Sequence, residues 1–128
     1  MKPNDSLHVS QLRVVLHLCG FLVLLYSLSM LPPMVIVLLN KERTYFAFLT
    51  TFLTFFTLGG LTWRATRHAG IQLRTRDGFV IIVLFWLLFS FISAMPLWMD
   101  DGLRLSFADA LFEGVSGITT TGATVIGD

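Results

Sequence analysis

The chain has 128 residues, of which 55% are hydrophobic and only 13% charged, with a formal net charge of +1. A soluble domain carries about twice that charged fraction, and so short a chain has no core large enough to hide this much apolar surface, so a soluble fold is excluded. The near-zero charge and the lack of a basic patch interleaved with aromatics exclude a nucleic-acid partner.

Residues 1–13 form a polar lead-in with Lys2 and Arg13. Residues 14–39 carry no formal charge while His17 is neutral. They predict a first transmembrane helix, because about 20 apolar residues cross a hydrocarbon core of about 30 Å. The run is longer than a signal-peptide core and has no clear small-residue cleavage site, so it reads as a retained helix. Pro32 and Pro33 lack amide donors and crowd the preceding turn, which predicts that the helix kinks or ends there. Cys19, the single cysteine, lies inside this segment; it makes no disulfide within the chain and reads as a small buried hydrophobe.

A short polar turn at 40–43 leads to a second apolar run, which predicts a transmembrane helix over 45–63. Gly59 and Gly60 near its end either admit a neighbouring backbone at close range or loosen the helix locally; the sequence leaves both open. Arg64, Arg67, Arg74 and Arg76 crowd the next loop. Residues 78–97 predict a third transmembrane helix, with Asp77 placed to cap its positive N-terminal end. Pro96 and the interfacial Trp98 mark its far end. Three spans put the N-terminus and the Arg-rich loop on one side, facing Lys41, Arg43 and Arg104 on the other. The excess of basic residues assigns the first side to the cytoplasm. Asp100 and Asp101, then outside, either raise the local cation concentration or form an ordinary acidic turn.

Beyond them, residues 106–117 predict a short helix. Ser106 and Asp109 have the spacing of a capping box, and Phe107, Leu111, Val115 and Ile118 form one apolar stripe. At about 18 Å this helix is too short to cross a membrane, so it enters from one side and stops, which is tolerated only where protein or water surrounds it. Its C-terminal end, negative by the helix dipole, favours a cation. Glu113 sits one turn from that end, where an acid is disfavoured; it is either a functional group or a hydrogen-bonded structural carboxylate. The threonine run that follows closes on Gly122, which lets the chain aim its carbonyls without a clashing Cβ. Such a run is an ordinary turn in many proteins. After a span, an external turn and a short amphipathic helix, it reads as a pore lining whose carbonyls replace the hydration shell of a cation. No phosphate-binding loop is present, His8, His17 and His68 fit no metal-ligand spacing, and no Ser or Cys has a recognisable base, so the residues argue against an enzyme and against a bound cofactor.

Three motifs carry a resemblance: LSMLPP at 28–33, LRTRDGF at 73–79 and DALFEGVSGITTTGATV at 109–125. From about Leu12 onward the chain resembles the Trk-type bacterial potassium uptake proteins TrkH and TrkG of the Trk/Ktr/HKT superfamily, the TrkG-like form being the nearer of the two. Members have two leading helices, then four repeats of membrane helix, pore helix and membrane helix around one pore. The resemblance implies an all-α integral membrane protein in which 14–39 and 45–63 are the leading helices, 78–97 opens the first repeat, 106–117 is its re-entrant pore helix and 119–124 its filter loop. It implies potassium coordination by Thr120, Thr121, Gly122 and Ala123, with Thr119 at the edge of the set, and places the potassium ion at Thr120 and Thr121. It also implies multi-pass residence in the bacterial inner membrane, a filter entered from the periplasmic side, symport or channel-like uptake, a homodimer in full-length form and a cytosolic nucleotide-binding regulatory subunit. One filter segment of four lies within these residues, so the chain is expected to be the N-terminal portion of such a transporter. The other expectation is a small remnant membrane protein without transport activity.

Overall fold

The computed structural model describes residues 3–40, 44–68 and 74–127, and side chains from Gln11 onward. The turn expected at 40–43 falls outside the described residues at 41–43, as does the middle of the Arg-rich loop at 69–73. The described residues are all-helical: α1 Pro3–Leu28, α2 Leu31–Leu39, α3 Tyr45–Ala65, α4 Thr75–Trp98 and α5 Phe107–Ile118. Gln11–Leu39, Tyr45–Ala65 and Thr75–Trp98 are each long and apolar enough to cross a membrane. Leu38, Leu53, Leu61, Ile82 and Leu87 are among many large apolar side chains left exposed, as lipid-facing surfaces require.

The double proline breaks the first span upstream of itself. Pro32 and Pro33 have no N–H to offer the carbonyls of Leu28 and Ser29. Accordingly α1 stops at Leu28, a turn covers Ser29 and Met30, and α2 opens with the prolines in its first turn, where their missing donors cost nothing. At the other end the helix already begins at Pro3, so the polar lead-in is helical too.

With no hydrophobic drive between helices in lipid, close packing and hydrogen bonds must join them. α1 and α3 meet backbone to backbone at Gly20 and Gly59: a Cβ on Gly59 would sit 2.9 Å from the Leu24 amide nitrogen and 3.0 Å from the Gly20 carbonyl oxygen. Close approach is therefore the use of Gly59, whereas Gly60 meets only the end of the Leu24 side chain. Near this contact His17 bonds the Thr66 hydroxyl at 3.1 Å and stacks on Trp63. α4 packs on α1 and the turn after it through Val23, Met30 and Ile92, with Tyr26 stacked on Phe89 and its hydroxyl bonded to that of Ser93. The threonines of α3 spend their hydroxyls internally: Thr51, Thr54, Thr57 and Thr62 each donate to the carbonyl four residues earlier, so these hydroxyl donors are not left unpaired toward lipid.

Asp77 caps α4 as expected, accepting from the Arg74 amide at 3.1 Å and starting the helix at Thr75, ahead of Gly78. Asp100 accepts from the Thr44 hydroxyl and the Gly102 amide, each at 2.9 Å, and so ties the start of α3 to the connection between α4 and α5. These bonds give Asp100 a structural use in that turn.

Candidate functional site

α5 is positioned by its cap and by one close face. The Ser106 hydroxyl accepts from the Asp109 amide at 3.2 Å, while Asp109 Oδ2 accepts from the Ser106 amide at 3.3 Å, satisfying two donors at the helix start. Ala110, Gly114 and Ser116 form the buried face. At Gly114 the helix touches α4 directly, since a Cβ there would lie 2.7 Å from the Ser90 carbonyl oxygen and 3.0 Å from the Ala94 amide nitrogen. Ala94 and Ala110 are both fully buried at this seam. The helix has 12 residues, about 18 Å of length, and no basic residue in its last turn to neutralise the negative end of its dipole.

The chain then departs from helix within a few residues. The Thr121 amide still reaches the Ser116 carbonyl at 2.9 Å, and Thr119 returns both its amide and its hydroxyl to the Val115 carbonyl. Thr120 has φ 55° and Gly122 φ 72°. The left-handed region suits glycine, whereas a β-branched residue there stores strain of about 1–3 kcal/mol. The run is thus held in a shape its own threonine does not prefer. The Thr119 and Thr121 hydroxyls bond each other at 2.8 Å, while the Thr120 hydroxyl has no partner among the described residues.

The carbonyls of this run divide into two sets. Those of Thr119, Thr120, Thr121 and Gly122, all exposed residues, accept no hydrogen bond among the described residues. That of Ala123 accepts from the Ser116 hydroxyl at 2.6 Å. The five expected residues are consecutive in sequence, and the structure gives Ala123 a bonding state different from the other four.

Glu113 holds the outgoing chain. One carboxylate oxygen accepts from the Thr124 hydroxyl at 2.7 Å, the Val125 amide at 2.6 Å and the Ile126 amide at 3.4 Å. The Thr124 hydroxyl, then the backbone amides, hold this carboxyl below the ordinary carboxylate range. Of the two readings the sequence leaves open, the hydrogen-bonded structural carboxylate describes these contacts. Ser116 was not among the expected site residues; its position one turn beyond Glu113 on the same helix face was the available signal. Behind Glu113 lies a cavity of about 380 Å³ bounded by Tyr26, Met30, Ser93, Pro96 and Gly114.

Residues 44–128 match the family model of TrkH, a cation transport protein. The chain belongs to this family. It is 66% identical over 122 residues to the Trk system potassium uptake protein TrkG of Escherichia coli strain K12, covering 95% of this chain and 25% of that protein. It is 43% identical over 115 residues to the Trk system potassium uptake protein TrkH of Halomonas elongata, covering 90% of this chain and 24% of that protein. The crystal structure of the potassium transporter TrkH from Vibrio parahaemolyticus matches the fold with a TM-score of 0.84 at 38% identity, covering 91% of this chain and 25% of that chain. The chain spans about a quarter of the length of these TrkH-family relatives. Family membership and its three apolar helices make it a multi-pass membrane protein.

Proposed function

We propose that these residues supply one filter-bearing quadrant of a Trk-type potassium uptake pore. In this reading residues 14–39, 45–63 and 78–97 cross the inner membrane with the N-terminus in the cytoplasm. α5 is a re-entrant pore helix entered from the periplasmic side, and 119–124 is the filter loop. The observation that carries the proposal is the row of carbonyls from Thr119 to Gly122, on exposed residues and without a hydrogen-bond partner among the described residues, at the negative end of a short helix. Oxygens that no protein donor satisfies are the groups that can replace the water of a dehydrated cation. Thr120 and Thr121 contribute central carbonyls, Gly122 the turn, and Ala123 a carbonyl shared with Ser116. The ion is potassium, as in the names of the relatives. A homodimeric full-length transporter and a cytosolic nucleotide-binding regulatory partner belong to the same proposal.

The test replaces the matching quarter of E. coli TrkG with these residues and measures rubidium uptake against sodium competition in cells lacking other potassium uptake. Uptake is expected, together with loss of potassium preference on Gly122→Ser. A Cβ at 122 meets nothing within 4 Å, so the damage arises from the φ of 72°. Thr121→Ala is expected to be milder and Thr120→Ala intermediate. Normal uptake and preference in Gly122→Ser would remove this loop from the filter.

A further inference from the structure

Glu113 and Ser116 lie three residues apart on α5 and grip the same outgoing segment at successive points. Ser116 takes the Thr121 amide on its carbonyl and gives its hydroxyl to the Ala123 carbonyl. Glu113 takes the Thr124 hydroxyl and the Val125 and Ile126 amides. Between the helix and these anchors lie the four carbonyls that have no partner among the described residues. Ser116 is buried and bonded at 2.6 Å, so one lone pair of the Ala123 carbonyl is committed to the helix, unlike those of the four residues before it. Ionised carboxylate bonds to backbone N–H groups are the stronger kind of hydrogen bond, and the strained φ at Thr120 needs anchors on both sides to persist.

We infer that Glu113 and Ser116 are positioning residues that set which carbonyls face the ion, fixing the potassium preference of this quadrant without touching the ion themselves. The inference rests on the filter reading given above. Glutamine at 113 retains an acceptor oxygen for the same donors, whereas alanine removes it.

Two measurements separate the inference from that reading. In the 128-residue chain in detergent micelles, backbone amide exchange at Val125 is compared in the wild type, Glu113→Ala and Glu113→Gln. Burial of a cysteine placed by Ala110→Cys confirms that α5 remains docked in each. Protection at Val125 is expected to be lost in Glu113→Ala and kept in Glu113→Gln. In the TrkG chimaera, the rubidium-over-sodium preference should fall about tenfold in Glu113→Ala, the scale of one lost charge-assisted bond. It should fall less in Ser116→Ala and stay close to wild type in Glu113→Gln. A merely structural role would lower the amount of transporter and leave its preference intact. Protection that survives Glu113→Ala, or preference that does not change when protection is lost, overturns the inference. A wild-type chimaera that carries no rubidium refutes the filter reading instead, and an unprotected Val125 amide in the wild-type chain overturns the clamp by itself.

Discussion

Gly114→Ala should detach α5 from α4, while Gly117→Ala, one turn later on the same helix, should not. At 114 the added Cβ would lie 2.7 Å from the Ser90 carbonyl oxygen and 3.0 Å from the Ala94 amide nitrogen, both backbone atoms of a helix that cannot rotate aside. Ordinary contact begins near 3.4 Å, so the helices must part by about 0.7 Å. Such overpacking costs about 3 kcal/mol, at the upper end of its range, against about 1 kcal/mol returned by replacing a helical glycine. The net loss of about 2 kcal/mol is about 30-fold in the docking equilibrium. At 117 a Cβ meets nothing within 4 Å, so only the gain of about 0.5–1 kcal/mol remains. The assay is the rate of thiol labelling at Ala110→Cys in a Cys19→Ala background, because Ala110 is fully buried when α5 is docked. Labelling should accelerate about 30-fold in Gly114→Ala and be slowed or unchanged in Gly117→Ala. Equal labelling in the two variants would refute the backbone-contact argument.

An impermeant thiol reagent applied to intact cells should label Asp101→Cys and spare Arg67→Cys; the reverse pattern would invert the proposed orientation. Protection of the Val125 amide should depend on pH in one direction. Hydrogen bonding lowers the Glu113 pKa, so its contribution is complete above the unfolded carboxylate value and is lost as pH falls through the lower folded one. Protection at Val125 should therefore be unchanged from neutral pH to the ordinary carboxylate range and fall below that range only to the level of Glu113→Gln, because the protonated carboxyl keeps one acceptor oxygen; loss of protection near neutrality would contradict this. Tyr26 is the other titratable side chain lining the cavity behind Glu113. Expressed alone, the 128-residue chain should insert but not restore growth at limiting potassium, because one set of carbonyls forms no ring; restored growth traced to it would mean that copies assemble into a pore.

The spans were legible because lipid imposes a demand that composition must answer: about 20 apolar residues without charge. Each observed helix overlaps its expected segment, and the limits differ for local reasons. α4 begins at Thr75 because the Asp77 carboxylate reaches back to the Arg74 amide. The break in the first span falls at Ser29 and Met30 because a proline withdraws its donor from the carbonyl four residues before it. The short helix before the threonine run was legible from its capping box and apolar stripe. What the sequence hid were contacts without periodicity. Nothing in the spacing of Glu113 and Val125 announces a bond, and Gly59 could be suspected of close contact without naming Gly20 as its partner. The left-handed φ of Thr120 was also hidden, since threonine is a residue from which that angle is not inferred.

The clamps on the threonine loop are short in sequence: Ser116 reaches Ala123 across 7 residues and Glu113 reaches Ile126 across 13. Contacts this local close quickly, because little loop entropy must be lost before they form. The bend at Thr120 and Gly122 therefore has no need to wait for distant parts of the proposed pore. It can be shaped by its own helix once Ile126 is free of the ribosome and α5 has docked on α4. A pore assembled from such self-shaping loops would join finished parts, and an error in one loop would be a local folding error rather than a failure of assembly.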